Sequence, residues 1–151
     1  MKHMLIICAT VFALSIYIPT IFANDLSTNY SVGTQYNIDN VLDAIKMVES
    51  KNGKYIYGKN GELGQYQIKK IVIDDINRII GKRIYKYSDA LDEKKSREIC
   101  KLYIEYWSKK RGCYGDIKSM VRIWNGGPNG HKKESTLPYW NKIKEVLNVR
   151  N

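Results

Sequence analysis

Apolar residues recur at helical spacing along the chain from about residue 37, and this pattern predicts its architecture. The first such run predicts a helix over about 38–49, with Asn37 or Asp39 placed to cap its start. Polar turn residues over 50–53 end it. The apolar face of this helix consists of Ile38, Val41, Leu42, Ile45 and Val48.

Four further helices are predicted by the same spacing, each bounded by a capping residue, a glycine or a proline. They cover about 67–80, the stretch from a cap at Asp89 or Asp92 to about 110, a short segment after Asp116, and about 139–147. Between the first two helices, Lys54–Gly64 holds a short apolar piece between glycines, which predicts a small β-hairpin or irregular β-wing. We therefore expect a mainly α fold with five or so helices and one small β element.

The N-terminal residues differ in composition from the rest of the chain. A basic start precedes an almost unbroken apolar run over 4–22, which is the layout of a signal peptide. An uncleaved membrane anchor is the alternative, because about 17 to 25 apolar residues can span a bilayer. Pro19 near the end of the run and the small Ala23 favour cleavage. The expected organisation is a signal peptide over 1–23, a polar leader over 24–36 and one domain over 37–151.

The charge balance limits the classes of partner that we expect this protein to bind. The chain has 25 Lys and Arg against 15 Asp and Glu, a formal net charge of +10, which favours a polyanionic partner. Because the predicted export removes the protein from intracellular nucleic acid, we expect anionic wall polymers or membranes instead. We expect the protein in the periplasm, the cell wall or the extracellular space, with no stable membrane anchor after cleavage.

Neither a disulfide nor a metal site is expected. A helix running from Cys100 to residue 111 would be about 16 Å long, whereas the two Cα atoms of a disulfide lie within about 7 Å. This separation argues against a bond between Cys100 and Cys113. Two thiols and one histidine beyond the signal also give no ligand cluster with zinc spacing, so no metal and no cofactor is predicted.

Glu49 is the first candidate for chemistry. It follows Ile45 by four residues and Val41 by eight, so its carboxyl group continues the apolar face of the first helix. Burial and the negative end of the helix dipole both disfavour a charged carboxylate there. Both effects raise its pKa, and we predict a general acid that holds a proton near neutral pH.

Four sequence blocks in this order resemble the catalytic domain of soluble-type lytic transglycosylases, within the lysozyme-like superfamily. The resemblance covers about residues 37–147. The blocks are Glu49-Ser50, Gly61-Glu62-Leu63-Gly64-Gln65-Tyr66-Gln67-Ile68, Arg122-Ile123-Trp124-Asn125-Gly126-Gly127-Pro128 and Thr136-Leu137-Pro138-Tyr139-Trp140-Asn141-Lys142.

The resemblance implies a role for each matched position. It makes Glu49 the catalytic acid. Tyr66 stands where the family has a methionine, and Trp124 stands where the family has a tyrosine. We expect Tyr66 in the sugar cleft and Tyr103 and Trp107 in the core. The substrate-binding residues implied by the match are Ser50, Gln65, Tyr66, Gln67, Trp124, Asn125 and Tyr139.

The reaction implied by the resemblance is lytic transglycosylation of peptidoglycan. One glutamate would cleave the β-1,4 bond between MurNAc and GlcNAc and leave 1,6-anhydro ends, since no second carboxylate matches a family position. A wall-spanning secretion apparatus would be a further partner. Two alternatives stay open. One is a hydrolytic muramidase on the same fold, with Glu62 as a second carboxylate or with water positioned in another way. The other is a non-catalytic cationic protein that binds the cell wall or a membrane.

Overall fold

The computed structural model describes residues 37–149, and the predicted signal peptide and leader lie outside this range. Within this range there are five α-helices, together with short 3-10 turns at Tyr87–Leu91, Gly130–Lys132 and Glu134–Thr136. None of the helices in the described range is both long and apolar enough to cross a membrane. The helices are α1 (Ile38–Ser50), α2 (Lys70–Ile80), α3 (Glu93–Lys110), α4 (Ile117–Gly126) and α5 (Leu137–Val149).

Helix α1 begins at the predicted residue and ends at Ser50, one residue later than the sequence predicts. Asn37 is the capping residue, since its Oδ1 accepts a hydrogen bond of 3.0 Å from the backbone N–H of Asp39. The helix ends where Lys51 and Asn52 take left-handed backbone conformations, with φ of 52° and 61°. This reversal turns the chain sharply away from the last residues of α1.

The β element between α1 and α2 is smaller than a regular hairpin. Within the described residues it consists of isolated bridges, which join Leu63 to Tyr57 on one side and to Ile68 on the other. The second bridge keeps Ile68 out of the following helix, and Gln67 has a positive φ of 48°. Helix α2 therefore begins at Lys70, three residues later than the sequence predicts. We call residues 51–69 the wing.

Helix α3 and its neighbours form the centre of the molecule. Asp92 caps α3 through a hydrogen bond of 2.8 Å from the backbone N–H of Lys95. Cys100 is buried in α3, and both it and Cys113, which follows the helix, are free thiols. Trp107 donates a hydrogen bond of 2.8 Å to the carboxylate of Asp75, which ties α3 to α2. Asp75 is therefore a packing contact and not simply a solvated helix charge.

The hydrophobic core draws on all five helices and on the wing. Tyr103 and Trp107 are buried in it, as predicted. Helix α5 packs against α1, and α3 packs against α4. Among the largest buried side chains are Leu42, Ile45, Ile68, Ile76, Ile99, Ile104, Ile123 and Ile143.

Tyr66 belongs to this core, so its predicted place in a sugar cleft is wrong. Only 1% of its surface is exposed. Its hydroxyl accepts a hydrogen bond of 3.0 Å from Arg97, which also forms ion pairs with Asp39 and Asp43 of α1. Tyr66 therefore joins the wing to α1 and α3 and is not available to a ligand.

Candidate active site

A cleft of about 500 Å³ opens between the wing and the helices. The end of α1 contributes Glu49, and the wing contributes Glu62 and Gln67. On the opposite side, α4 contributes Trp124 and Asn125. All five are residues that the sequence marks as catalytic or substrate-binding, and the fold brings them to one cavity.

Glu49 sits in this cleft as a partly buried carboxyl group. The hydroxyl of Tyr139, on α5, donates a hydrogen bond of 2.8 Å to its Oε1. The indole N–H of Trp124 makes a further hydrogen bond to the same carboxyl group. Burial outweighs both hydrogen bonds and raises the pKa of Glu49 to about 7. The carboxyl group can therefore hold a proton at neutral pH, as its place on the helix predicts.

Tyr139 and Trp124 fix the orientation of this carboxyl group from two different helices. Tyr139 is buried, and burial together with the neighbouring Glu49 raises the pKa of its hydroxyl well above the usual value. It consequently stays protonated and acts as a donor. Trp124 is also largely buried and packs edge to face on Tyr103, with 5.8 Å between the ring centroids. Neither donor can swing away without disturbing the core.

Glu62 is the second carboxylate of the cleft. Hydrogen bonds from its own backbone N–H and from that of Asn60, together with the ammonium group of Lys69, lower its pKa below the ordinary value. The Asn60 bond measures 3.0 Å, and the Lys69 Nζ lies 3.5 Å from Oε1. Glu62 is therefore ionised at neutral pH. Its negative charge also contributes to the raised pKa of Glu49.

Ser50 does not face the cleft, although the resemblance implies a supporting polar group there. It is fully buried. Its hydroxyl donates to the carbonyl of Lys46 at 3.0 Å and accepts from the backbone N–H of Gly53 at 2.8 Å. Both bonds hold the turn after α1, so Ser50 supports Glu49 only by fixing the backbone that follows it.

The two glutamines of the second block are separated by the fold. Gln65 points away from the cleft, is 7% exposed and donates to the carbonyl of Glu93 at 3.2 Å. Its predicted contact with substrate is therefore wrong. Gln67 does line the cleft, and its Nε2 donates to the carbonyls of Tyr55 and Gly64 at 3.1 and 2.9 Å.

Several residues of the cleft were not singled out from the sequence. Val72 contributes from the start of α2, and Lys59 and Lys69 contribute from the tip and the last residue of the wing. Tyr103 lies in the core as predicted but also reaches the cleft. Lys69 follows Glu62 by seven residues, a spacing with no meaning in an irregular segment, so no sequence signal marks this ion pair.

No family model matches this chain. It is 33% identical over 88 residues to a lysozyme of Ostrea edulis, a match that covers 58% of this chain and 61% of the relative. A lysozyme of Magallana gigas is 30% identical over 83 residues, covering 54% and 58% of the two chains. This chain therefore matches less than two thirds of the length of these relatives.

A solved structure resembles most of the described part of the molecule. It is a chain from the crystal structure of Aeromonas hydrophila PliI in complex with Meretrix lusoria lysozyme, with a TM-score of 0.62 and 26% identity. The match covers 71% of this chain and 88% of that chain. The fold is lysozyme-like. Both relatives are named lysozymes, and the resemblance to soluble-type lytic transglycosylases stays a prediction within that broader fold.

Proposed function

We propose that this lysozyme-like protein is a peptidoglycan hydrolase that cleaves the β-1,4 bond of the glycan strand with two carboxyl groups. The observation that supports it is one cleft with two glutamates whose pKa values move in opposite directions. The pKa of Glu49 rises to about 7, while that of Glu62 falls below its ordinary value. Environments that separate two carboxyl groups in this way assign one as acid and the other as anion.

In this mechanism Glu49 donates its proton to the glycosidic oxygen of the leaving sugar. Tyr139 and Trp124 hold the carboxyl group in place and stabilise its anion once the proton has left. Glu62, ionised and held by Lys69, supplies the negative charge that an oxocarbenium-like transition state requires. Water then bonds to the anomeric carbon and returns a proton to the Glu49 carboxylate, which restores the acid and leaves a reducing sugar end.

Lytic transglycosylation is the second candidate. The carboxylate of Glu62 is already engaged by a backbone N–H and by Lys69, which is the observation in its favour. If these contacts keep the Glu62 carboxylate away from the sugar, Glu49 would act as the single acid and base. An intramolecular bond within the muramic acid residue would then form the 1,6-anhydro end. The names of the relatives favour hydrolysis.

Digestion of purified peptidoglycan sacculi with the protein separates these functions, with mass spectrometry of the released fragments as the measurement. Hydrolysis gives reducing ends, which take up deuterium on borodeuteride reduction, whereas transglycosylation gives 1,6-anhydro ends. The absence of soluble fragments would contradict both and support a non-catalytic wall-binding protein.

The role of Glu62 is tested by Glu62→Gln, with Glu145→Gln on the exposed face of α5 as the matched control. We expect Glu62→Gln to lower the rate by at least about 10²-fold and Glu145→Gln to leave it unchanged. Full activity of Glu62→Gln, with 1,6-anhydro products, would contradict the proposed hydrolysis and support transglycosylation.

We further propose that the protein acts outside the cytoplasm, because its proposed substrate is there and residues 1–23 have the pattern of a signal peptide. N-terminal sequencing of the protein secreted by its native cells should begin at about residue 24. A cytoplasmic, uncleaved protein would contradict this.

A further inference from the structure

A second surface, distinct from the cleft, surrounds the C-terminal end of α2. A groove of about 600 Å³ opens there, and its cations include Arg78, Lys82 and Arg83. Two exposed isoleucines lie beside this groove in the sequence without lining it, Ile80 at the end of α2 and Ile84 in the following turn. We call these five residues the basic-apolar surface.

The backbone that carries this surface is held firmly. Gly81 ends α2 in a left-handed conformation with φ of 77°. The side chain of Asn77 then fastens the next turn to the helix. Its Oδ1 accepts from the backbone N–H groups of Ile84 and Tyr85, both at 3.0 Å, and its Nδ2 donates to the carbonyl of Tyr85 at 2.8 Å. Lys82 and Arg83 therefore project from a fixed turn.

The positive charge of this surface is only partly neutralised by ion pairs within the described residues. Arg78 forms an ion pair with Asp75, and Lys70, at the far end of the groove, forms one with Asp74. Lys82 and Arg83 are exposed, and neither side chain has an ion pair or a hydrogen bond within residues 37–149. Two cations are thus left for an external anion.

The apolar component points to the kind of anion. Ile84 is 54% exposed and Ile80 is 37% exposed, although large aliphatic side chains are usually buried. A soluble polyanion would pair with the cations and leave both isoleucines in water. An anionic bilayer satisfies both components, because lipid phosphates pair with the cations and the interface takes up the aliphatic side chains.

We propose that the basic-apolar surface docks this protein on the surface of an anionic lipid bilayer. The contact is peripheral, with Lys82 and Arg83 on headgroup phosphates and Ile84 and Ile80 in the interface. It leaves the cleft open, since Val72 near the start of α2 lines the cleft, whereas the basic-apolar surface lies at the other end of this eleven-residue helix, which is about 16 Å long. Docking would keep the cleft next to a membrane that lies beneath a cell wall.

Co-sedimentation with vesicles tests the proposal on residues 24–151. The vesicles contain phosphatidylcholine alone or with about one third phosphatidylglycerol, whose headgroup attracts each nearby cation by about 1 kcal/mol. We expect binding to the anionic vesicles only, and a loss of at least about tenfold in Lys82→Glu/Arg83→Glu. Ile84→Ser should weaken binding several-fold without any change in charge.

A charge-matched variant and a soluble anion serve as controls. Lys118→Glu/Lys144→Glu alters two exposed lysines on α4 and α5 and changes the net charge equally, so it should retain most of the binding. Equal losses in both double variants would show that net charge alone acts, and would overturn the proposal. A second pair of results would also overturn the proposal: polyphosphate binding that depends on Lys82 and Arg83, together with normal vesicle binding by Ile84→Ser. The ligand would then be a soluble phosphate polymer. The circular dichroism spectrum checks that each variant is folded.

Discussion

Replacing Glu49 by glutamine should make the protein less active and more stable at the same time. Glutamine retains the shape of the side chain and an oxygen for the hydrogen bond from Tyr139, but it has no proton to donate. We expect activity on peptidoglycan to fall by at least about 10²-fold. The gain in stability follows because folding places a group that is normally ionised in a site that disfavours its charge.

The pKa of Glu49 gives the size of this effect. It lies at about 7 in the fold, against an ordinary value of 4.5. The folded state therefore holds the proton more tightly than the unfolded chain, and stability is lost as pH rises from about 4.5 through 7. The loss above pH 7 is about 2–3 kcal/mol, the lower figure allowing for the solvent that reaches the side chain.

Thermal unfolding of the wild type and of Glu49→Gln at pH 4, 6 and 8 measures this loss of stability. The wild type and Glu49→Gln should have nearly equal melting temperatures at pH 4. At pH 8 the variant should melt about 10 °C higher, given about 4 °C for each kcal/mol in a domain of this size. A difference that does not vary with pH would show that Glu49 is not desolvated and would refute its assignment as a neutral-pH acid. Wild-type activity in Glu49→Gln would refute the catalytic role itself.

Three further outcomes are expected. Tyr139→Phe removes a hydrogen bond that lowers the pKa of Glu49, so the alkaline limb of the pH–rate profile should move to higher pH; a shift to lower pH would contradict this. Gly64→Ala would place a Cβ 1.6 Å from the backbone carbonyl oxygen of Ala90, so denaturant unfolding should show a free energy of unfolding lower by more than about 3 kcal/mol. Gly61→Ala has the same left-handed backbone but nothing within 4 Å of the new Cβ, and it should lower this free energy by only about 1 kcal/mol. A reducing agent should leave the melting temperature unchanged, because both thiols are free, and a drop would reveal a disulfide.

The helices were largely predictable because each carries its own signals. The apolar face of α1 and its capping residue, and the Asp92 cap of α3, are local features of the sequence. The start of α2 was not predictable from local features, since Ile68 pairs with Leu63 across a tight turn. Helical periodicity alone therefore extended α2 three residues too far.

The resemblance implies that the second block belongs to the site, but it does not determine the direction of the side chains in that block. Gly64 turns the chain at a point where Ala90 approaches its Cα so closely that a Cβ has no room. This turn sends Tyr66 into the core and Gln65 to the opposite side, so that of these three residues after Gly64 only Gln67 reaches the cleft, which Glu62 lines from before the turn. Sequence blocks give order and spacing, and they leave the direction of side chains in an irregular segment undetermined.

The sequence by itself determined that Glu49 continues a buried helical face, and hence that its pKa is raised, because burial follows from periodicity within one helix. Only the tertiary structure decided what surrounds that carboxyl group. Tyr139 is 90 residues away along the chain, and Glu62 becomes its anionic counterpart through Lys69 and the backbone of the wing. These contacts join separate elements, and their geometry depends on how the helices and the wing pack together.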